Sequence, residues 1–188
     1  MWSCEQLILR PSSSFDELDR APSGQAGGVD QRPLAIVDID GVVADVRHRL
    51  RHLEGRGKDW DAFFAAAVDD PPHEEGLAIV ERLAADHDIV FLTGRPERCR
   101  ADTERWLDAH GIGGHPLHMR PEGTRRPAAQ VKREVLDRVA AGRQVAVVVD
   151  DDPDVLAAMA AAGRPTFHAA WGDRSTTLHQ AQEVEGRS

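Results

Sequence analysis

Residues 34–43 read LAIVDIDGVV, and this stretch decides the fold. Its first four residues are apolar without alternation, which predicts a short strand over residues 34–38 that is buried on both faces. Asp38 closes this strand and Asp40 follows two residues later. An acidic pair at the end of a buried strand indicates a polar site at one edge of a sheet.

Outward from this stretch, apolar runs alternate with amphipathic segments. The runs IVFL and VAVVV predict two more buried strands, and weaker strands are expected around residues 117–119 and 166–169. Apolar residues at helical spacing predict helices between them. This alternation predicts an α/β fold, with a doubly wound, mainly parallel sheet and helices on both faces. The ranges are 89–92 and 145–149 for the strong strands, and 74–86, 97–110, 131–142 and 155–163 for the helices.

Polar residues follow three of the predicted strands: Asp38 and Asp40, then Thr93 to Arg95, then Asp150 to Asp152. The carboxyl ends of parallel strands line one crevice, so these side chains are expected to meet. Two carboxylates ~4 Å apart repel by about 4 kcal/mol at an effective dielectric of 20, so the cluster needs a cation. Oxygen ligands without His or Cys favour Mg²⁺.

Two further features fit an anion at the same edge. Lys132, on a helix that leads into the strand before Asp150, offers a positive charge. Thr93 and Gly94 offer a hydroxyl and accessible backbone N–H groups. Lys132 also has a simpler interpretation as a solvated surface residue, because most lysines are solvated. Acids after strands, Asp152 in particular, often cap helices.

The order DIDGVV (38–43), FLTGR (91–95), Lys132 and VVVDDD (147–152) resembles the four motifs of the haloacid dehalogenase-like (HAD) phosphatase superfamily. The closest resemblance is to the 3'-phosphatase domain of phage-type polynucleotide kinase/phosphatases, and it covers residues 34–171. The resemblance implies a Rossmann-like core with Asp38 as the nucleophile that forms an aspartyl-phosphate.

The same resemblance implies the other roles. Asp40 would protonate the leaving oxygen and then activate water. Mg²⁺ would be held by the Asp38 side chain, the Asp40 carbonyl, Asp150 and Asp151. The phosphoryl oxygens would be bound by the residues of the second and third motifs, and one arginine would contact the substrate. These residues are Thr93, Gly94 and Lys132 for the phosphoryl group and Arg95 for the substrate.

Two positions depart from the common pattern. Val42 stands where a Thr is usual after the first motif, and residues 128–130 read AAQ where the polynucleotide branch often has an Asp. The second departure bears on substrate choice more than on the chemistry.

About 48 residues separate Asp40 from the second strand, which leaves room only for a minimal cap over the site. An open site favours bulky phosphates, so we expect a polynucleotide or nucleotide 3'-phosphate end as substrate. A nucleotide or other small phosphorylated metabolite is the alternative substrate, and the net charge of -9 favours it. The basic stretch 47–52 is either a phosphodiester contact or a solvated helix face. Trp60 and Phe63 or Phe64 are interpreted as core residues rather than base-stacking ones.

Two other classes of protein share some of these features. A signalling receiver domain also combines acids, Thr and Lys, but its lysine would follow the last strand, whereas Lys132 precedes the strand that ends at Asp150. A binding protein without catalytic activity is disfavoured because both Asp38 and Asp40 are present.

Composition sets the remaining expectations. Residues 1–32 are rich in Ser, Gly, Pro and charge and are predicted to form a flexible leader. Residues 33–172 would form the phosphatase domain and residues 173–188 a polar tail. No run approaches the roughly 20 apolar residues of a membrane span, and the N-terminus lacks a signal-peptide pattern. We therefore expect a cytoplasmic protein with no membrane partner, of undetermined oligomeric state.

Overall fold

The structure is a computed structural model that describes residues 31–54 and 57–171. Within these ranges the chain forms one five-stranded sheet, in the order β3-β2-β1-β4-β5, in which all pairings are parallel. This is the doubly wound sheet that the sequence predicts. The strands are β1 Leu34–Val37, β2 Asp88–Pro96, β3 Leu117–Arg120, β4 Val145–Asp150 and β5 Thr166–His168.

Helices cover both faces of the sheet, as predicted. The helices are α1 Trp60–Ala65, α2 Glu74–Ala84, α3 Arg100–Ala109, α4 Ala128–Ala140 and α5 Pro153–Ala161. Strand β1 shows why they divide, because successive side chains of a strand point to opposite faces. Ala35 and Val37 belong to the core cluster that includes buried residues of α2 and α3. Leu34 and Ile36 belong to the cluster that includes residues of α4 and α5. The sheet therefore carries two apolar cores.

The segment between β1 and α2 is short and largely helical. It contains α1 and two 3-10 segments, Arg47–Leu53 and Ala66–Asp69. Phe63 and Phe64 are buried in the core and Trp60 packs against it, as predicted for these aromatic residues. No large cap domain is present in this part of the described chain.

The amino ends of the strands are held together by the residues that lead into β1. The Arg143 guanidinium donates to the Arg32 carbonyl at 2.6 Å and also bonds the carboxylate of Asp88. Arg32 itself donates to the Ala84 carbonyl at 2.6 Å. The chain therefore enters the sheet at the edge opposite the carboxyl ends of the strands.

The predicted leader and tail fall almost entirely outside the described residues, so the domain boundaries at 33 and 172 remain predictions. No helix of the described ranges is long and apolar enough to cross a membrane.

Candidate active site

Lys132 bridges two of the acids that end neighbouring strands. Val37 pairs with Val149 across the sheet, so Asp38 and Asp150 follow side by side. The Lys132 Nζ lies 2.7 Å from Asp38 Oδ2 and 2.7 Å from Asp150 Oδ2. All three groups are buried. Burial lowers the pKa of Lys132, but the two carboxylates outweigh it and raise the pKa above its usual value. The lysine is therefore held as a cation.

The site holds more carboxylates than Lys132 alone can neutralise. Carboxylate oxygens of Asp38, Asp150 and Asp151 lie within 4.8 Å of one another. Burial raises the pKa of Asp38 to about 7, although Lys132 acts in the opposite direction. Burial and the charge of Asp150 also raise the pKa of Asp151 well above its ordinary value. These shifts measure how unfavourable three neighbouring carboxylates are when no further positive charge is present.

The donor set fits a divalent metal ion. The three acids supply only oxygen ligands, which hard cations prefer. Asp38 Oδ1 is buried and has no hydrogen-bond partner within the described residues. Such an orphaned buried oxygen is expected where an ion or a substrate binds. The three acids therefore fit a divalent metal ion.

The loop after β1 is shaped so that Asp151 can approach it. The carbonyl of Ile39 accepts bonds from the N–H groups of Val42, Val43 and Ala44 at 2.9–3.2 Å, which closes a tight turn. Gly41 in this turn has φ +81°, and a Cβ there would lie 2.3 Å from Asp151 Oδ2. Only glycine permits both the left-handed backbone and this close contact.

Asp40 faces a second, separate ion network. Its Oδ1 accepts from Arg49 at 2.7 Å and from Arg95 Nε at 2.8 Å. Asp70 binds the same two arginines, through 2.8 Å and 2.9 Å bonds from Arg49 and a 2.7 Å bond from Arg95. His48 Nε2 also lies 2.8 Å from Asp70 Oδ1. Two buried carboxylates and two buried guanidinium groups thus compensate one another.

This network controls the charge of Asp40. Burial alone raises its pKa, but Arg49 and Arg95 outweigh burial, so the pKa of Asp40 lies below its ordinary value. At Asp70 burial prevails and the pKa is raised. Asp40 is therefore ionised at neutral pH, and its buried Oδ2 has no hydrogen-bond partner within the described ranges.

Thr93 and Gly94 lie near the carboxyl end of β2, where its register with β3 shifts between Leu92 and Pro96. Thr93 is buried and its Oγ1 accepts from the Arg95 N–H at 3.2 Å. That bond lies within the irregular end of the strand, from which Arg95 binds Asp40 and Asp70. Both residues are on the expected edge of the sheet, and their contact with a phosphoryl group remains a prediction.

The family to which the chain belongs follows from its sequence as a whole. Residues 33–173 match the family of the polynucleotide kinase PNKP phosphatase domain. The chain belongs to this family. It is a HAD-type phosphatase, as the motif order predicts. No curated protein matches the chain.

Solved structures of HAD proteins share the fold. The RNA repair complex of Pnkp1, Rnl and Hen1 matches with 23% identity and a TM-score of 0.63, over 78% of this chain and 46% of that one. A class C acid phosphatase from Bacillus anthracis with tungstate bound matches with 12% identity and a TM-score of 0.56, over 82% and 78%. A HAD-like hydrolase from Streptococcus pneumoniae matches with 11% identity and a TM-score of 0.54, over 80% and 90%. The chain spans about half the length of the first two matched structures, at 46% and 49%.

The HAD phosphatase fold brings together four of the residues expected from sequence, namely Asp38, Asp150, Asp151 and Lys132. The side chain of Asp40 binds Arg49 and Arg95 and is not part of this acidic cluster. The metal ligand proposed for Asp40 is its backbone carbonyl. Asp152 caps α5 by accepting from the Asp154 N–H at 2.8 Å, as the simpler interpretation predicts.

Sequence reasoning missed Arg49 and Asp70. The basic stretch 47–52 was expected to lie on a solvated face or to contact phosphodiesters, but Arg49 is 0% exposed and stacks on the Phe63 ring at 4.2 Å. The apolar residues Leu50 and Leu53 around it were the available sign that this segment packs inward. Nothing in the single sequence distinguishes Asp70 from its neighbour Asp69.

Arg95 was expected to contact the substrate. Here it is 1% exposed and both ends of its guanidinium bind Asp40 and Asp70. A direct substrate contact remains a prediction, whereas its contact with Asp40 is a feature of the structure.

Proposed function

We propose that this chain is a Mg²⁺-dependent phosphomonoesterase that works through an aspartyl-phosphate on Asp38 and acts on polynucleotide or nucleotide 3'-phosphate ends. The observation that carries the proposal is the state of Asp38. One of its oxygens is bound by Lys132, and the other is buried beside two further acids without a partner. A carboxylate in this setting is oriented and ready for attack.

The residues of the chain support both steps of the reaction. Asp40, which is ionised at rest, first takes up a proton from solvent. Asp38 then attacks the phosphorus, and the bond to the ester oxygen breaks as Asp40 passes that proton to the oxygen. Water then attacks the phosphorus, Asp40 takes a proton from it, and the bond to Asp38 breaks to release phosphate. Bound Mg²⁺, held by Asp38, Asp150, Asp151 and the Asp40 carbonyl, would supply charge stabilisation for the phosphoryl oxygens.

Lys132 supports the same chemistry. Its ammonium group already links Asp38 to Asp150, so it lies where negative charge develops on the phosphoryl oxygens. Thr93 and Gly94, on the adjacent strand end, would donate the remaining hydrogen bonds.

The polynucleotide substrate has two supports. The matching family is named for the phosphatase domain of polynucleotide kinase, and one solved relative is an RNA repair complex. Within the described ranges the cap is reduced to a few short helical segments, so no large domain would have to enclose a bulky substrate.

A nucleotide or small phosphorylated metabolite is the second candidate. Its support is the loss of the expected basic face: Arg49 is buried, and Arg47 binds Asp45 at 2.5 Å. Together with a net charge of -9, this weakens any general attraction for polyanions.

The first experiment tests the nucleophile. In Mg²⁺, Asp38→Asn should lower kcat on an aryl phosphate by ~10⁴-fold or more, since a lone nucleophile is not replaced by other groups. Asp137→Asn on the exposed face of α4 is the matched control and should keep wild-type kcat. Wild-type turnover by Asp38→Asn would refute the nucleophile.

The substrate is ranked with the wild-type protein. We expect kcat/KM for a 3'-phosphorylated oligonucleotide to exceed that for 3'-mononucleotides and sugar phosphates. Equal or better turnover of the small phosphates would favour the second candidate.

A further inference from the structure

The loop between β3 and α4, residues 121–127, is held from beneath by a buried arginine. Arg120 is 2% exposed, and its guanidinium donates to the carbonyls of Thr124 and Arg126. These two carbonyls flank Arg125 on either side. The backbone at Arg125 is therefore fixed at both neighbours, although the residue itself is exposed.

The other charges of this loop are already paired. Glu122 accepts from the Arg98 N–H at 2.9 Å and from its guanidinium at 3.2 Å. Arg126 binds Glu134 at 2.5 Å. Within residues 31–54 and 57–171 no such partner is found for Arg125. An uncompensated guanidinium carried on a fixed backbone of an acidic protein is a local anion site, and its planar fork suits phosphate.

The loop lies at the same sheet edge as the acids. Arg120 pairs with Pro96, the residue after Arg95, and Glu122 bonds Arg98 just beyond it. The loop then enters α4, whose fifth residue is Lys132. Chain geometry limits the separation of the Arg125 and Lys132 Cα atoms to about 17 Å. An extended arginine side chain reaches from there toward the phosphates next to a bound end.

We propose that the β3–α4 loop is a polynucleotide-binding surface, in which Arg125 contacts an internucleotide phosphate upstream of the 3'-phosphate being hydrolysed. This inference rests on the proposed function and names the feature that would separate polynucleotides from mononucleotides. A 3'-mononucleotide has no internucleotide phosphate, so only a chain substrate gains from this contact.

The test compares Arg125→Ala with wild type on a 3'-phosphorylated oligonucleotide and on the 3'-mononucleotide, with DNA and RNA versions in separate arms. We expect KM for the oligonucleotide to rise about tenfold, the size of one good phosphate contact. The slope of log KM against log salt should fall by about 0.7, the contribution of one released counterion on a single strand. Arg125→Lys keeps the charge and should retain most of the salt slope.

Arg105→Ala is the matched control. Arg105 is 69% exposed on α3 and pairs with Asp102, so its removal changes the net charge equally without touching the loop. It should leave KM and the salt slope at wild-type values.

The outcomes separate the two levels of the proposal. If wild type prefers oligonucleotides but Arg125→Ala keeps the wild-type KM and salt slope, the loop does not bind the strand. Equal losses in Arg125→Ala and Arg105→Ala would also overturn the inference, because the effect would then be one of net charge. If wild type shows no preference for oligonucleotides, the proposed polynucleotide substrate itself fails.

Discussion

Asp70 is the residue whose importance emerges only from the structure. It shares Arg49 and Arg95 with Asp40, so each guanidinium is balanced by two carboxylates. The division matters because Asp40 must both release and accept a proton in the proposed reaction. If Asp40 alone faced both arginines, its carboxylate would be stabilised further and would protonate less readily.

Replacing Asp70 with Asn should therefore alter proton transfer. We expect Asp70→Asn to lower kcat on an aryl phosphate by about tenfold or more, with a smaller change in KM. The alkaline limb of the pH–rate profile should move to lower pH, because the pKa of Asp40 falls when the neighbouring charge is removed and Asp40 then loses its proton at lower pH. The free energy of unfolding should fall by about 3 kcal/mol, as when one partner of a buried ion pair is removed.

Asp69→Asn is a close control, since this neighbouring carboxylate is exposed. Steady-state kinetics over pH and thermal unfolding measure both variants. If Asp70→Asn matched Asp69→Asn in its pH profile, Asp70 would have no part in positioning Asp40.

At the scale of elements, the turn that follows β1 sets the geometry of the nucleophile. Gly41 adopts a left-handed backbone and lies against Asp151, so β1 and the segment after β4 meet at this one residue. The same turn is backed by α2, because a Cβ on Gly76 would lie 2.0 Å from the Val42 carbonyl. Space on both sides of the turn is therefore limited.

Gly41→Ala should consequently harm both stability and metal binding. An alanine in the left-handed conformation lowers the free energy of unfolding by about 1 kcal/mol. Its Cβ would also push away the carboxylate of Asp151, which is a proposed metal ligand. We expect the Mg²⁺ concentration for half-maximal activity to rise about tenfold or more.

Gly111→Ala separates the two causes. Gly111 has φ +74° but nothing within 4 Å of the added Cβ, so this variant carries the backbone cost alone. The Mg²⁺ dependence of its activity should remain that of wild type. If Gly41→Ala also kept the wild-type Mg²⁺ dependence, the turn would not position Asp151.

The elements themselves were predictable and the turns between them were not. Apolar runs such as 145–149 specify buried strands without reference to the rest of the chain, and Asp38 and Asp150 follow from where those runs end. Lys132 was predictable because it lies near the start of a predicted helix that leads into the strand ending at Asp150, where a cation would offset the carboxylates. Arg49 and Asp70 meet only because the stretch around residues 47–53 packs against the stretch around residues 66–70. Long-range packing of that kind has no periodic signal in a single sequence.

At the scale of the whole molecule, metal binding and the stability of the folded state place opposite demands on the acids at the carboxyl ends of the strands. Burial raises the pKa values of Asp38, Asp150 and Asp151, so in the metal-free protein their ionisation destabilises the folded state. For Asp38 the pKa rises from 3.8 to about 7. Its contribution to stability is therefore full below pH 3.8 and is lost as the pH rises through about 7.

Asp38→Asn, which cannot ionise, should reveal this opposition. Without metal, its Tm should exceed that of wild type by several degrees at pH 8, and the difference should shrink toward pH 5. Lys132 keeps Asp150 as a partner, so the variant does not leave an unpaired buried lysine.

Adding Mg²⁺ should reverse the order at pH 8. A ligand at 100 times its Kd stabilises the folded state by about 2.7 kcal/mol, and wild type should gain more of this than the variant. Thermal unfolding with and without EDTA measures both effects. A Tm for Asp38→Asn that stayed below wild type at pH 8 in EDTA would contradict the raised pKa.

The clasp formed by Arg32, Arg143 and Asp88 has a practical meaning for how this enzyme can be joined to other proteins. It fixes the start of β1 at the amino edge of the sheet, a full strand length away from Asp38 and its neighbours. A fusion partner joined directly to Gln31 would therefore be attached at that side, at the opposite end of the strands from the acids.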